Sequence, residues 1–236
     1  MPAVGSRGGG AYMATPAPAP ATPWREAEFC VIDLETTGLD AAVDEIVSFA
    51  ALPIAGGSLR LEGFRYQLIC PRRMPEAETI RIHGLRSRDL IDAPPLSAVL
   101  DGLLQALTGR VMVAHVASVE EAFLGAALRK HGLRLSNRII DTAALACELQ
   151  RRRRQPRTDP TDLSSLARGL GLPVHRPHHA DGDALTTAQV FLALATHLDA
   201  FAPQTVGSLE SYRRAPRGWP ALRPVVRRIL TRLTRR

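Results

Sequence analysis

The run VIDLETTGLD, residues 31–40, sets two carboxylates one residue apart in a stretch that otherwise reads as a buried strand. Side chains alternate faces along a strand, so Asp33 and Glu35 point one way and Ile32 and Leu34 the other. Two like charges on one face repel, and burying either alone is costly. A fold built on this run must end the strand where a counter-charge is supplied. A hard divalent cation such as Mg²⁺ or Mn²⁺, which takes oxygen ligands, supplies it; the plainer reading is a strand edge whose acids face water. The following Thr36, Thr37 and Gly38 favour the first, because small hydroxyl residues and glycine let a ligand approach the backbone.

Residues 1–24 are rich in Ala, Pro and Gly without periodicity and read as a disordered extension. Around 28–34, 46–54, 59–69 and 111–115 the pattern is that of strands, with AGGS at 55–58 as a hairpin turn. Helical periodicity follows in 95–109, 119–132, 142–150, 162–171 and 182–198, and Gly132 and Gly171 stand where C-terminal caps belong. Early strands with a hairpin, then strands alternating with helices, predict an α/β fold with a mixed sheet covered by helices. With 236 residues and 45% hydrophobic content, one core domain over 25–202 accounts for most of the chain. A basic, Arg-rich tail over 203–236 follows it.

Charge is unevenly placed. The net charge is +7, yet from Thr205 onward nine arginines face one acid, Glu210, a balance of +8, so the remainder sums to −1. The basicity belongs to the tail, not to the body. Cys30, Cys70 and Cys147 are widely spaced and odd in number, which points to a reducing compartment and against a disulfide framework or zinc site. No apolar run approaches the ~20 residues of a membrane span, and no compact apolar signal segment opens the chain. A soluble, cytoplasmic protein is expected.

A further acid stands at a helix start. HHADGDALTTAQVFLAL places Asp183 in the first turn of a long amphipathic helix, where the helix dipole favours a carboxylate. Asp181 is the better capping residue, which leaves Asp183 free to face the sheet. His178 and His179 precede it in a loop, and histidine takes a proton from water near neutral pH.

The order VIDLETTGLD, IRIHGL, VAHVASVEEAFL and HHADGDA, across roughly residues 27–200, resembles the DEDDh family of 3′–5′ exonucleases, which includes the proofreading epsilon subunit of DNA polymerase III. The resemblance implies a ribonuclease H-like fold: a five-stranded mixed sheet flanked by helices. It also implies two divalent metal ions, Mg²⁺ or Mn²⁺, held by four acids, and a histidine that activates water. That histidine lies five residues before the last acid, which here selects His178 with Asp183. Asp33 would bridge both metals, Glu35 and Asp183 would complete the shell of the one carrying the water, and His178 would be the general base. The reaction implied is hydrolysis of terminal DNA phosphodiesters, single strands foremost, to nucleoside 5′-monophosphates; trimming of RNA is the nearest alternative. Thr36, Thr37 and Gly38, with Ile82, His83 and Gly84 of IRIHGL, would border the terminal nucleotide.

The second motif departs from the family. Where AHNAxFD is common, this chain reads AHVASVE, with Glu120 in place of the aspartate. One added methylene changes the reach while keeping the charge, and Mg²⁺ is strict about octahedral distances. Glu120 is expected to bind metal, Glu121 lying about 100° away on the helix. The plain alternative makes both acids favourable charges at a helix N-terminus. The rival function is a nucleic-acid end-binding module whose catalysis has faded. RRRRQPR (151–157) and the basic tail are candidates for phosphate contacts through counterion release, and the tail also for docking on a polymerase or repair assembly.

Overall fold

The computed structural model describes residues 7–156 and 159–213. In chain order the elements are α1 (Arg7–Ala14), β1 (Phe29–Thr36), β2 (Ile46–Ala55), β3 (Ser58–Leu59), β4 (Arg65–Leu68), α2 (Ala77–His83), α3 (Ser87–Leu90) and α4 (Leu96–Leu107). They continue with β5 (Val111–Ala114), α5 (Ser118–Lys130), β6 (Ile139–Asp141), α6 (Thr142–Arg152), α7 (Leu163–Gly169), α8 (Ala180–Asp199) and α9 (Val206–Ser211). The sheet runs β3-β2-β1-β5-β6, with β4 also on β2. β2 is antiparallel to β1, whereas β5 and β6 run parallel to it.

Six strands stand where five were expected, because the single strand expected over 59–69 is in two pieces. β3 pairs with Ile54 and Ala55, and β4 with Ser48 to Ala51. Pro53 lies between these two ladders and its carbonyl accepts from the Arg60 N–H, so its outward side is the one facing this lane. A proline has no N–H to give there, and the outer ladder breaks at the missing donor. The chain crosses the gap in a 3₁₀ turn at Leu61–Gly63. β6, only three residues long, is the fifth strand that the resemblance implies, and the sequence pattern had not located it. The AGGS hairpin forms as read, with Gly56 at φ 60° and Gly57 at φ 67°.

The alternation along β1 divides the core in two. Phe29 and Val31 face α8 and pack with Ala184, Ala188, Phe191 and Leu194. Cys30, Ile32 and Leu34 face α4 and α5, among Leu100, Leu104, Phe123 and Leu124. Asp33 and Glu35 continue the first series, so both acids project on the α8 side at the carboxyl end of the strand. β1, β5 and β6 all end at this edge, where ligands sit in open α/β sheets.

Two described segments flanking the body are more ordered than expected. Arg7–Ala14 lies in the stretch read as a disordered extension, yet it forms α1, with Tyr12 only 2% exposed. The Tyr12 hydroxyl donates to Asn137 Oδ1 at 2.5 Å and accepts from the Ser136 N–H at 3.0 Å. Residues 203–213, read as the start of the tail, also pack on the body. Val206 and Leu209 are buried, Trp24 N–H donates to the Gln204 carbonyl at 3.2 Å, and Val206 N–H to that of Thr22 at 3.0 Å. The amphipathic pattern of the tail beyond residue 213, and Arg157 of RRRRQPR, lie outside the described residues. Among the described residues, no helix is long and apolar enough to cross a membrane.

Candidate active site

The loop after β1 is built by its neighbours. The Thr37 hydroxyl donates to Asp44 Oδ1 at 3.1 Å and accepts from the Glu45 N–H at 3.0 Å. The Thr36 hydroxyl donates to the Gly38 carbonyl at 2.5 Å. Asp44 itself crowds position 38, where a Cβ would lie 2.4 Å from its Oδ2, so only glycine fits. Both threonine hydroxyls are thus engaged in shaping the turn. The Thr79 hydroxyl donates to the Thr37 carbonyl at 2.9 Å and ties α2 to this loop.

Asp33, Glu35 and Asp183 converge: each offers a carboxylate oxygen, and all three lie within 4.8 Å of one another. Asp183 comes from the first turn of α8, as its place in the sequence predicted. Glu120, in the first turn of α5, lies outside that trio but close to it. It is buried, and its Oε2 has no hydrogen-bond partner among the described residues.

The electrostatics follow from this crowding. Burial, then Asp183, Glu35 and Glu120 in turn, hold the Asp33 carboxyl well above the usual carboxylate range. Burial and then Asp183 push Glu35 up to about 8. Burial raises Asp183 to about 7 against a hydrogen bond from the His178 backbone. Glu120 is raised to about 8, first by burial and then by Asp141 and Glu35, against a backbone hydrogen bond. Four acids that repel one another, Glu120 buried with an orphaned oxygen and the other three half-buried, form a donor set that fits hard divalent cations.

His178 and His179 part company. The His178 N–H donates to Asp183 Oδ2 at 2.8 Å from a left-handed backbone, φ 61°. Burial lowers its imidazole pKa; Asp162 opposes that and His179 adds to it. His179 lies instead against Gly84, whose φ is 76° and whose Cβ position is 4.0 Å from the His179 ring. This brings IRIHGL and HHADGDA side by side. His83 is turned inward, 2% exposed, and its Nδ1 accepts from the Leu85 N–H at 3.0 Å. Ile82 stays half-buried, and Gly84 caps α2, so the turn that glycine predicts is also present.

Sequence reasoning missed three supporting residues. Asp141 caps α6 and accepts from the N–H groups of Val116 at 3.1 Å, Ala117 at 3.2 Å and Ala143 at 2.9 Å. It thereby fixes the turn, with Val116 at φ 55°, that launches α5 and Glu120. An Asp–Thr pair after the apolar Ile139–Ile140 was the available signal. His115 hydrogen-bonds Thr142 Oγ1 through Nδ1 at 2.8 Å beneath the same turn. Gly182 is the third: a Cβ there would meet the His175 carbonyl oxygen at 2.3 Å and that of Arg176 at 2.6 Å. The loop carrying His178 lies against α8 because position 182 has no side chain.

The sequence pattern of the exonuclease family (RNase_T) matches residues 30–191. The PolC-type DNA polymerase III of Thermotoga maritima is 38% identical over 168 residues, 71% of this chain but 12% of the polymerase. That of Caldanaerobacter subterraneus subsp. tengcongensis is 28% identical over 186 residues, 79% of this chain and 13% of the polymerase. Among solved structures, E. coli Exonuclease I in complex with a dT13 oligonucleotide shares the fold, with a TM-score of 0.64 at 16% identity over 74% of this chain and 42% of that one. Exonuclease X in complex with 5′ overhanging duplex DNA does so with a TM-score of 0.59 at 20% identity, over 77% of this chain and 99% of that one.

Proposed function

The chain belongs to the exonuclease family, its fold is the ribonuclease H-like one, and from this premise we propose that it removes nucleotides from 3′ ends of DNA. Single strands are the foremost substrate, and nucleoside 5′-monophosphates the product. One observation carries the reading: carboxylate oxygens of Asp33, Glu35 and Asp183 lie within 4.8 Å of one another at the carboxyl edge of the sheet. Asp33, Glu35 and Asp183, with Glu120 beside them, would hold the divalent ions, Asp33 at the centre of the set. Mg²⁺ or Mn²⁺ bound there supplies the positive charge that activates water and stabilises the leaving 3′ oxygen.

The chain's own groups do the rest. His178, its imidazole pKa held down by burial, accepts the proton of the attacking water at a ring nitrogen. Its backbone hydrogen bond to Asp183 sets the distance between base and acid cluster. The αL turn at Gly84 and the loop of Thr36 to Gly38 present backbone rather than base-reading side chains, which suits a site that accepts any sequence. The PolC-type relatives make a place beside a replicative polymerase the reading for the whole protein's partners.

The test is digestion of 5′-labelled single-stranded DNA and RNA of equal sequence with Mg²⁺ or Mn²⁺, beside Asp33→Ala. A metal-dependent ladder shrinking from the 3′ end, absent in Asp33→Ala, is expected, with DNA cut faster than RNA. The position of Glu120 outside the trio keeps one second reading in play, an end-binding module of faded catalysis. Glu120→Asp separates the two. A modest change of an existing rate fits the enzyme; activity appearing only in the variant fits the module.

A further inference from the structure

A nuclease for single strands needs something for the bases to rest on, and aromatic residues are only 5% of this chain. Most of those described are buried: Tyr12, Trp24, Phe29, Phe49, Phe123 and Phe191 are all part of the core. Among the described residues, the exposed aromatics are Tyr66, 38% exposed, and Phe201, 49% exposed. Phe201 follows the last residue of α8, and a 20-residue helix is about 30 Å long, so it stands far from the acid end. Tyr66 stands at the acid end.

The sheet register places it there. Tyr66 on β4 pairs with Ala50 on β2, and Ala50 pairs with Asp33 on β1. Directly paired residues share a face, so Tyr66 and Asp33 project on the same side of the sheet, two strand spacings or about 10 Å apart. The first turn of α8 covers the row between them, and Tyr66 forms its outer rim. Burial and the Asp181 carboxylate raise the phenol's pKa, the Arg176 guanidinium and the Ser48 hydroxyl oppose them, and Glu35 adds a smaller raising effect. Arg176 is held by Asp181, Nη1 to Oδ2 at 2.6 Å, while its side chain stays 64% exposed. An exposed aromatic ring and an exposed, anchored guanidinium thus share one rim of the acid cluster.

We infer that Tyr66 and Arg176 form a subsite for the nucleotide next to the one being removed, its base stacked on the Tyr66 ring and its phosphate on the Arg176 guanidinium. The inference rests on the nucleic-acid reading above and adds two residues that no motif contains. Aromatic stacking with an arginine beside it is how single strands are held without regard to sequence. The subsite therefore takes single-stranded nucleic acid of any sequence. An exposed tyrosine on an edge strand is otherwise unremarkable.

Binding of a fluorescent dT oligonucleotide, read by anisotropy in EDTA, tests this independently of turnover. Wild type, Tyr66→Phe, Tyr66→Ala and Phe201→Ala are compared. Stacking of one base corresponds to roughly a 5- to 150-fold change in affinity. Tyr66→Ala is expected to weaken binding about tenfold, within that range, with Tyr66→Phe near wild type and Phe201→Ala unchanged. Turnover of the same oligonucleotide with Mg²⁺ should show the loss in KM more than in kcat. Equal affinity of Tyr66→Ala and wild type, or a Tyr66→Phe loss as large as that of Tyr66→Ala, overturns the inference. Tight binding by wild type without cleavage under any metal overturns the hydrolase reading and leaves the stacking result to stand or fall on the affinities.

Discussion

At the scale of single residues, the site is a set of carboxylates that the folded chain holds against their own repulsion. Asp33 is the centre of it, pressed by burial and by three acids. Asp33→Asn removes a carboxyl whose raised pKa makes the folded, metal-free chain hold a proton that the unfolded chain releases, so two opposite effects are expected. Cleavage should fall below detection, while the melting temperature in EDTA should rise by about 2–4 °C, as for about 1 kcal/mol of relieved strain in a chain of this size. Thermal unfolding of both proteins with and without Mg²⁺ checks it. Titration adds a second expectation. Glu35 sits near 8 and Asp183 near 7, against ordinary values of 4.5 and 3.8. The native chain therefore keeps protons that the unfolded chain has released. The share of metal-free stability that these two acids contribute should be fully present below about pH 4 and decline as pH rises through 7–8, the native state binding more of their protons throughout. Saturating Mg²⁺ should flatten or reverse that slope, because the metal binds the deprotonated acids; a melting series from pH 4 to 9 shows which holds. Asp33 and Glu35 were legible in the sequence because strand periodicity alone aligns them. Asp141 was not, because its hydrogen bonds go to residues 24 and 25 positions away.

At the scale of elements, α8 organises the site from both ends of its first turn. Asp183 projects to the sheet, Asp181 holds Arg176, and Gly182 between them admits the loop of His175 to His178. Gly182→Ala should push that loop away. About 2 kcal/mol is a typical cost for overpacking, which lowers the melting temperature by about 4–8 °C. Activity should drop further than stability, since His178 moves with the loop; paired melting and rate measurements separate the two. The helix itself was read from its periodicity to within two residues at either end. Elements whose form depends on partners were harder. α1, RGGGAYMA, has three glycines and poor helix propensity, and it is its packing and Tyr12's hydrogen bonds to Ser136 and Asn137 that order it. The strand over 59–69 looked continuous because the proline that interrupts it, Pro53, lies on the neighbouring strand.

At the scale of the whole molecule, one sheet edge gathers contributions from distant parts of the chain: β1, α5 and α8 bring the acids, and α2 brings the turn beside them. Fold class and the convergence of Asp33, Glu35 and Asp183 were readable because each motif carries its own local pattern. What geometry adds is the unequal standing of the acids, three within 4.8 Å and Glu120 beside them with one oxygen unpartnered. We propose that these acids together hold divalent cations. The most direct measurement is a Mn²⁺ titration of the full chain followed by electron paramagnetic resonance, wild type beside Asp33→Asn and Glu120→Gln. Two bound Mn²⁺ per wild-type chain, loss of both in Asp33→Asn and weakening of one in Glu120→Gln are the predicted results. Mn²⁺ binding that is absent in wild type, or that survives Asp33→Asn unchanged, would contradict the account.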